Sequence, residues 1–261
     1  MNNLRNYLSR IHNFSKKSRV GEEKAPSIFM NTGFCYSCNQ ASRFTARKAW
    51  WRDHYICDNC GSIPRERAVM YCIEKFYPAW REKVIHESSP VFRGTSLRLK
   101  NEAQDYLPTQ YFPGVERGMI YRGFRNENLE QLTFDDESID LHITQDVFEH
   151  IFDPAQAFKE VARTLKPGGA HIFTTPLVNK DAQTQWCAKR DAKGAIEHLI
   201  DPPEYHGNPV SADGSLVTVH WGFDILRFIY DACGLFTEMI YIDAIELGIR
   251  AEYIEVLITR K

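Results

Sequence analysis

Residues 134–177 read FDDESIDLHITQDVFEHIFDPAQAFKEVARTLKPGGAHIFTTPL, and the hydrophobic period changes twice along them. Residues 139–143 alternate apolar and polar with the period of two of a strand, 154–165 repeat at helical spacing, and 170–175 return to strand. Phe158, Val161, Ala162 and Leu165 form one apolar stripe on that helix. Asp153 supplies an N-cap, and Pro154 occupies the first helical position, where a missing N–H costs nothing. Lys166, Pro167, Gly168 and Gly169 then give a cation for the last turn, a stop and a left-handed exit. Strand, helix, strand in this order predicts a crossover with two parallel strands side by side, hence an α/β fold.

The flanks carry weaker versions of the same signals. Residues 62–76 predict a helix with Ala68, Val69, Cys72, Ile73 and Phe76 on one face; its Arg65 and Arg67 read as ion-paired or solvated, with a place at a ligand mouth as the second option. Residues 223–233 predict another helix, ended by Gly234. Between them, 178–220 is long and polar, the kind of insertion that builds a substrate pocket beside a regular core. Near the start, Leu4, Tyr7, Leu8, Ile11 and Phe14 fall at helical spacing among Arg5, Arg10, Lys16, Lys17 and Arg19, so residues 1–30 read as a tail or a basic amphipathic helix.

Composition narrows the options. With 261 residues the chain allows one large domain or a large one with a small appendage, and 43% hydrophobic content is ample for a packed core. A net charge of −2 argues against a partner chosen by bulk positive charge. No apolar run approaches the roughly 18–20 residues that span a bilayer, and no apolar signal core opens the chain, so it reads as soluble and cytoplasmic. Four of the seven cysteines form two CxxC pairs, Cys35/Cys38 and Cys57/Cys60, separated by eighteen residues. That spacing lies in the zinc-ribbon window, and four thiolates close a tetrahedral shell, so a structural zinc is expected in residues 31–63. Residues 44–56 between the pairs suit a short hairpin, and Gly61 suits a left-handed exit.

One run carries a resemblance. Ser138, Asp140, Asp146, Val147, Glu149, His150, Asp153 and Pro154, followed by Glu160, Ala162, Arg163, Leu165, Lys166, Pro167, Gly168 and Gly169, resembles the fourth and fifth strand region of class I S-adenosylmethionine (SAM) dependent methyltransferases of the type 11 kind. The resemblance implies a Rossmann-like, seven-stranded, mostly parallel sheet with helices on both faces over residues 83–261, joined by a connecting helix in 64–82 to the zinc module. Residues 236–242 and 253–259 would be its terminal antiparallel pair. It also implies SAM as cofactor, held by Glu87, Ser88 and Ser89 after the first strand, Thr109 and Gln110 after the second, Asn128 and Leu129 over the adenine, and Thr144, Gln145 and Asp146 after the fourth. Two departures stand out: Ser88, Ser89 and Pro90 replace the family's glycine-rich turn, and Thr109 and Gln110 replace its ribose-binding acid.

Methyl transfer to a hydroxyl needs a base, and the groups placed for it are Asp146, His150 and, from the insertion, His206. Asp146 would orient His150 if the segment is helical, since residues four apart share a face. The hydroxyl-rich insertion favours a small or medium polar acceptor of saccharide type. A second reading is an RNA methyltransferase that uses Arg43, Arg47, Lys48, Trp50, Trp51 and Arg52 of the zinc module. A third is a non-catalytic binding protein that kept the fold after losing its glycine turn.

Overall fold

The computed structural model describes residues 26–208 and 211–261; the basic amphipathic pattern near the N-terminus lies outside the described residues. The first elements are three antiparallel strands, β1 (Phe29–Cys35), β2 (Gln40–Ala46) and β3 (Tyr55–Cys57), with a single turn of helix, α1 (Trp51–His54), before the third. Phe44, Tyr55, Cys35 and Cys57 form their small core. Helix α2 (Pro64–Phe76) follows, with proline at its start and a Glu66 carboxylate accepting the backbone N–H of Ile63.

The main sheet is built from β4 (Val84–Ser88), β5 (Asp105–Gln110), β6 (Ile120–Tyr121), β7 (Phe124–Asn126), β8 (Ile139–Gln145), β9 (Leu165–Thr174), β16 (Thr237–Ile240) and β17 (Val256–Arg260), in spatial order β16-β17-β9-β8-β4-β5-β7-β6. Pairs β4–β5, β4–β8, β5–β7 and β8–β9 are parallel, while β17 runs antiparallel to both β9 and β16. The sheet therefore has eight strands rather than seven. The additional one is β6, two residues folded back on β7 and too short to leave a period in the sequence.

Alternation along β9 and β17 decides what each face packs against. Ile172, Val256 and Ile258 face α2 and α3 (Gly94–Glu102), whereas Phe173 and Leu257 face α4 (Pro154–Thr164) and α5 (Ile225–Cys233). Helix α4 starts as expected, with Asp153 accepting from the Gln156 N–H at 3.0 Å. Its buried stripe is Ala157, Phe158 and Val161, with Ala162 half-buried. Lys166 does not serve the helix terminus; its ammonium reaches the Asp140 carboxylate at 2.7 Å. The insertion is not one loop but three two-stranded pieces, β10 (Gln185–Trp186) with β15 (Val219–His220), β11 (Ala188–Arg190) with β12 (Ile196–His198), and β13 (Tyr205–Asn208) with β14 (Ser211–Leu216).

The small sheet docks on the turn Ile245–Leu247. Asn31 donates to the Ile245 carbonyl at 2.7 Å, and a Cβ on Gly33 would stand 1.8 Å from the Glu246 carbonyl, so only glycine allows this approach. Arg67 fastens the joint. Its guanidinium, without solvent exposure, donates to Gly248 O at 2.6 and 2.9 Å, to Tyr55 O at 2.8 Å and to Ser62 O, and lies 4.8 Å from the Phe44 ring.

Three histidines cross the sheet in register: His86 pairs with His142, and His142 with His171. All are fully buried. His86 Nδ1 lies 2.7 Å from His142 Nδ1, with Thr109 and Thr164 hydroxyls each 2.8 Å from the outer nitrogens, and Thr144 Oγ1 is 3.0 Å from His171 Nε2. One proton fits between the two Nδ1 atoms, so the two rings cannot both be charged, and their full burial disfavours charge on either. Burial pulls His86 and His171 down to about 3 and His142 well below its ordinary value. Folded values below the unfolded 6.5 mean that the unfolded chain binds these protons more tightly. Stability is then full above pH about 6.5 and falls as pH drops toward 3, by about 1.4 kcal/mol per histidine per pH unit. Urea unfolding at pH 7 and pH 5 should show a loss of several kcal/mol; equal midpoints at the two pH values would contradict the buried neutral ladder.

Candidate active site

The chain enters the sheet at β4, builds outward through β5 and β7, then returns to lay β8 on the other side of β4. This reversal opens a crevice beyond the carboxyl ends of the strands. A cavity of about 850 Å³ fills it. Its walls come from three parts of the chain: the strand ends, the small N-terminal sheet with the start of α2, and the insertion.

Ser88 and Ser89 line the cavity at the end of β4. Ser89 sits at φ 58°, left-handed backbone that costs a non-glycine residue about 1 kcal/mol, and its N–H is fixed to Thr109 O at 2.8 Å. Gln110, Asn128, Leu129, Gln145 and Asp146 also line the cavity. Asn128 spends its side-chain carbonyl on the Glu130 N–H at 3.0 Å, shaping the turn that presents Leu129. Three of the expected residues stand behind the wall instead. Glu87 is buried and accepts from Ser96 and Tyr106 hydroxyls, each at 2.6 Å, and from Gln145 at 3.1 Å; burial raises its pKa against those bonds. Thr109 and Thr144 point at the histidine ladder.

Asp146 does not orient His150. Its carboxylate lies 2.7 Å from Arg52 Nη2 and 2.9 Å from Arg65 Nε, and it accepts from Thr174 Oγ1 at 3.0 Å. Arg65 also donates to Asp53 at 2.9 Å, which ties α1, α2 and the end of β8 together. Burial alone would raise the Asp146 pKa, but Arg65 and then Arg52 hold it at about 2. The backbone of Asp146 is left-handed, φ 54°, and is held there by its N–H on Thr174 O at 2.9 Å. Sequence reading missed Arg52 and Arg65 as partners of Asp146, as well as Trp50, Glu127 and Tyr253 in the wall.

His150 and His206 do come together, ring centroids 5.1 Å apart and nearly perpendicular. His150 sits in a 3₁₀ turn that the insertion staples from above: Thr218 donates to Glu149 O and Ile151 O, and Trp221 Nε1 to Phe148 O. His150 Nδ1 lies 2.9 Å from Leu216 O, and burial lowers its pKa. His206, on β13, lies 3.1 Å from a Glu204 carboxylate oxygen. Between them Glu149, which only the motif pattern had touched, lines the cavity; burial, with Asp146 adding, raises its pKa to about 7.

The four cysteines stand apart from the cavity, with Sγ atoms all within 4.8 Å of one another, Cys35 to Cys60 at 3.8 Å and Cys38 to Cys57 at 3.9 Å. Sulfurs placed 2.3 Å from a tetrahedral zinc are about 3.8 Å apart, so the donor set and its spacing fit that ion.

A methyltransferase-domain family model matches residues 108–173, from β5 to β9. A probable SAM-dependent methyltransferase of Mycolicibacterium smegmatis is 40% identical over 52 residues, 20% of each chain. A dimethylglycine N-methyltransferase of Parasynechococcus marenigrum is 44% identical over 50 residues, 19% of this chain and 18% of that one. The chain thus spans about a fifth of the length of these curated relatives. A SAM-dependent methyltransferase structure from Mesorhizobium loti is 19% identical, with a TM-score of 0.46, over 74% of this chain and 98% of that one.

Removing the acid from the Arg52–Asp146–Arg65 cluster leaves two guanidinium groups, with side chains 9% and 16% exposed, short of one anion. Asp146→Asn should therefore lower unfolding free energy by about 3 kcal/mol, the low end for a broken buried pair because some solvent reaches the group. A urea-derived loss under about 1 kcal/mol would show that the cluster is not coupled as described.

Proposed function

We propose that this chain is a SAM-dependent methyltransferase with a structural zinc in its N-terminal sheet, acting on a polar, hydroxyl-bearing acceptor of saccharide type. The observation that carries the reading is a coincidence of place: the methyltransferase-domain match covers β5 to β9, and the ends of those strands, with β4, wall the cavity. SAM has an amino-acid end, a sulfonium, a ribose and an adenine, and the wall offers chemistry suited to each. Ser88, Ser89 and the Arg52–Asp146–Arg65 cluster suit the zwitterionic end; Gln110 suits the ribose hydroxyls, and Leu129 suits a ring face. Neutral Gln110 makes weaker bonds than a carboxylate would, so modest affinity is expected.

When bound, SAM supplies the methyl group: its S–CH₃ bond breaks as the acceptor–CH₃ bond forms, leaving a neutral thioether and an acceptor proton to be removed. The groups facing the acceptor end are Glu149, His150 and His206, joined by Tyr205 and Arg190. Their task is to hold the acceptor in line and deal with its proton. The RNA reading has less support, because Arg43 is paired with Asp58 at 2.5 Å and Arg52 is buried against Asp146. A saccharide hydroxyl suits the mixed polar and aromatic lining of the insertion.

Zinc at Cys35, Cys38, Cys57 and Cys60 would connect directly to this activity, because α1 of the same small sheet brings Arg52 to Asp146. Calorimetric titration of zinc-replete protein should show one SAM site per chain. Ser89→Trp should abolish it by filling the cavity, and stripping the zinc should weaken it by about tenfold or more, since the arginine wall folds with the metal. Absence of SAM binding by zinc-replete protein would contradict the enzyme reading and favour a non-catalytic binding protein. Absence of zinc after metal-replete expression would contradict the metal.

A further inference from the structure

Glu149, His150 and His206 place one carboxylate oxygen and two imidazole nitrogens within 4.8 Å of one another at the acceptor end of the cavity. The bonds behind each ring fix which atom faces forward. A carbonyl only accepts, so His150 Nδ1, 2.9 Å from Leu216 O, carries the proton and leaves a lone pair on Nε2. Glu204 takes His206 Nε2 at 3.1 Å on one oxygen and His220 Nε2 at 2.8 Å on the other, which leaves His206 Nδ1 bare. Glu149 Oε2 accepts from the Thr175 hydroxyl at 3.0 Å. Among the described residues its Oε1 is buried with no hydrogen-bond partner, 3.7 Å from His150 Nε2.

A carboxylate that is 2% exposed with one oxygen unmatched is costly, and two bare imidazole nitrogens beside it supply no proton to satisfy it. A cation satisfies all three lone pairs at once. Ligands whose far side is tied to a carbonyl, a carboxylate or a hydroxyl are also the arrangement that orients groups around bound metal ions. We propose that Glu149, His150 and His206 form a divalent-cation site, with coordination positions open to the cavity, that takes the hydroxyl oxygen of the acceptor. This deepens the methyltransferase reading above and rests on it for the acceptor.

Two imidazoles and one carboxylate suit a first-row ion such as Mn²⁺, Co²⁺ or Zn²⁺. Ligands about 2.1 Å from one ion stand roughly 3.0–3.4 Å apart, so the three must draw in by about 1 Å. His206 can supply that movement from its two-stranded hairpin, while Glu149 and His150 are pinned by Thr218 and Leu216. A hydroxyl bound to the cation loses its proton to water more readily, and the resulting oxygen anion attacks the methyl carbon as the S–CH₃ bond breaks.

Full-length, zinc-loaded protein titrated with Mn²⁺, with the free ion followed by electron paramagnetic resonance, should bind one Mn²⁺ per chain. Mn²⁺ stands lowest in the first-row affinity order and does not displace zinc from four thiolates. Glu149→Gln and His206→Gln should each weaken Mn²⁺ at least about tenfold, on the scale of disturbed metal sites, while SAM affinity of the His206→Gln protein, measured on the same samples, stays within about threefold. His206 is half-exposed on its hairpin, so that variant keeps the fold. No saturable Mn²⁺ binding, or unchanged binding in both variants, overturns the site. Saturable Mn²⁺ binding lost in both variants, in a protein that binds no SAM, supports the cation site and contradicts the methyltransferase reading.

Discussion

Arg67 is a positive charge with no water to hold it. Carbonyls of Tyr55, Ser62 and Gly248 take its protons, but neutral acceptors do not neutralise it, and burial pulls its pKa down. The thiolates of Cys35 and Cys57 act in the other direction. A zinc bound by four thiolates carries net negative charge, so metal and guanidinium suit one another. The small sheet, the start of α2 and the turn around Gly248 all meet at this one group. The Phe44 ring completes the contact, pressed so closely on Gly248 that a Cβ there would lie 2.7 Å from it.

The same helix carries the constraint to the cavity. Arg65, two residues before Arg67, leaves α2 on the other side and reaches Asp146 at the end of β8, where Arg52 arrives from α1. Two cations around one buried acid hold a left-handed backbone turn at the strand end. That turn sends the chain into the segment bearing Glu149 and His150, which the insertion clamps through Thr218, Trp221 and Leu216. Groups on opposite walls of the cavity are thus positioned by parts of the chain on either side of the sheet's central crossover. The serines replacing a glycine-rich turn matter less in this arrangement, because Ser89 adopts the left-handed conformation that a glycine would supply.

Local signals were legible and distant ones were not. The strand–helix–strand unit around α4, the Asp153 cap and the two CxxC pairs depend on residues within a few positions of one another, and each left a period or a spacing in the sequence. Arg52 and Asp146 lie 94 positions apart, and nothing in either neighbourhood names the other. His142 occupies a polar slot in an alternating strand, yet the sheet is covered on both faces, so the slot holds a buried neutral imidazole rather than a solvated one. Glu87 and Thr144 were expected at the site from their place at strand ends. Each stands one residue short of its strand end, Glu87 turned to Ser96 and Tyr106 on one face and Thr144 to His171 on the other, and the last strand residues, Ser88 and Gln145, reach the cavity instead. Glu149 lay inside a matched motif, but its burial beside two histidines depends on the insertion folding back over it.

If the small cysteine-bearing sheet and the end of β8 make one ligand wall, both must respond when the ligand binds. Hydrogen–deuterium exchange of zinc-replete protein, with and without saturating S-adenosylhomocysteine, tests it at the backbone amides of Trp51–His54 and of residues 145–147. Exchange should slow in both segments at the same ligand concentration, because Arg52 and Asp146 are bonded to one another across the cavity edge. Slowing at 145–147 with Trp51–His54 unchanged would contradict it, showing a sheet that binds its ligand without the cysteine module.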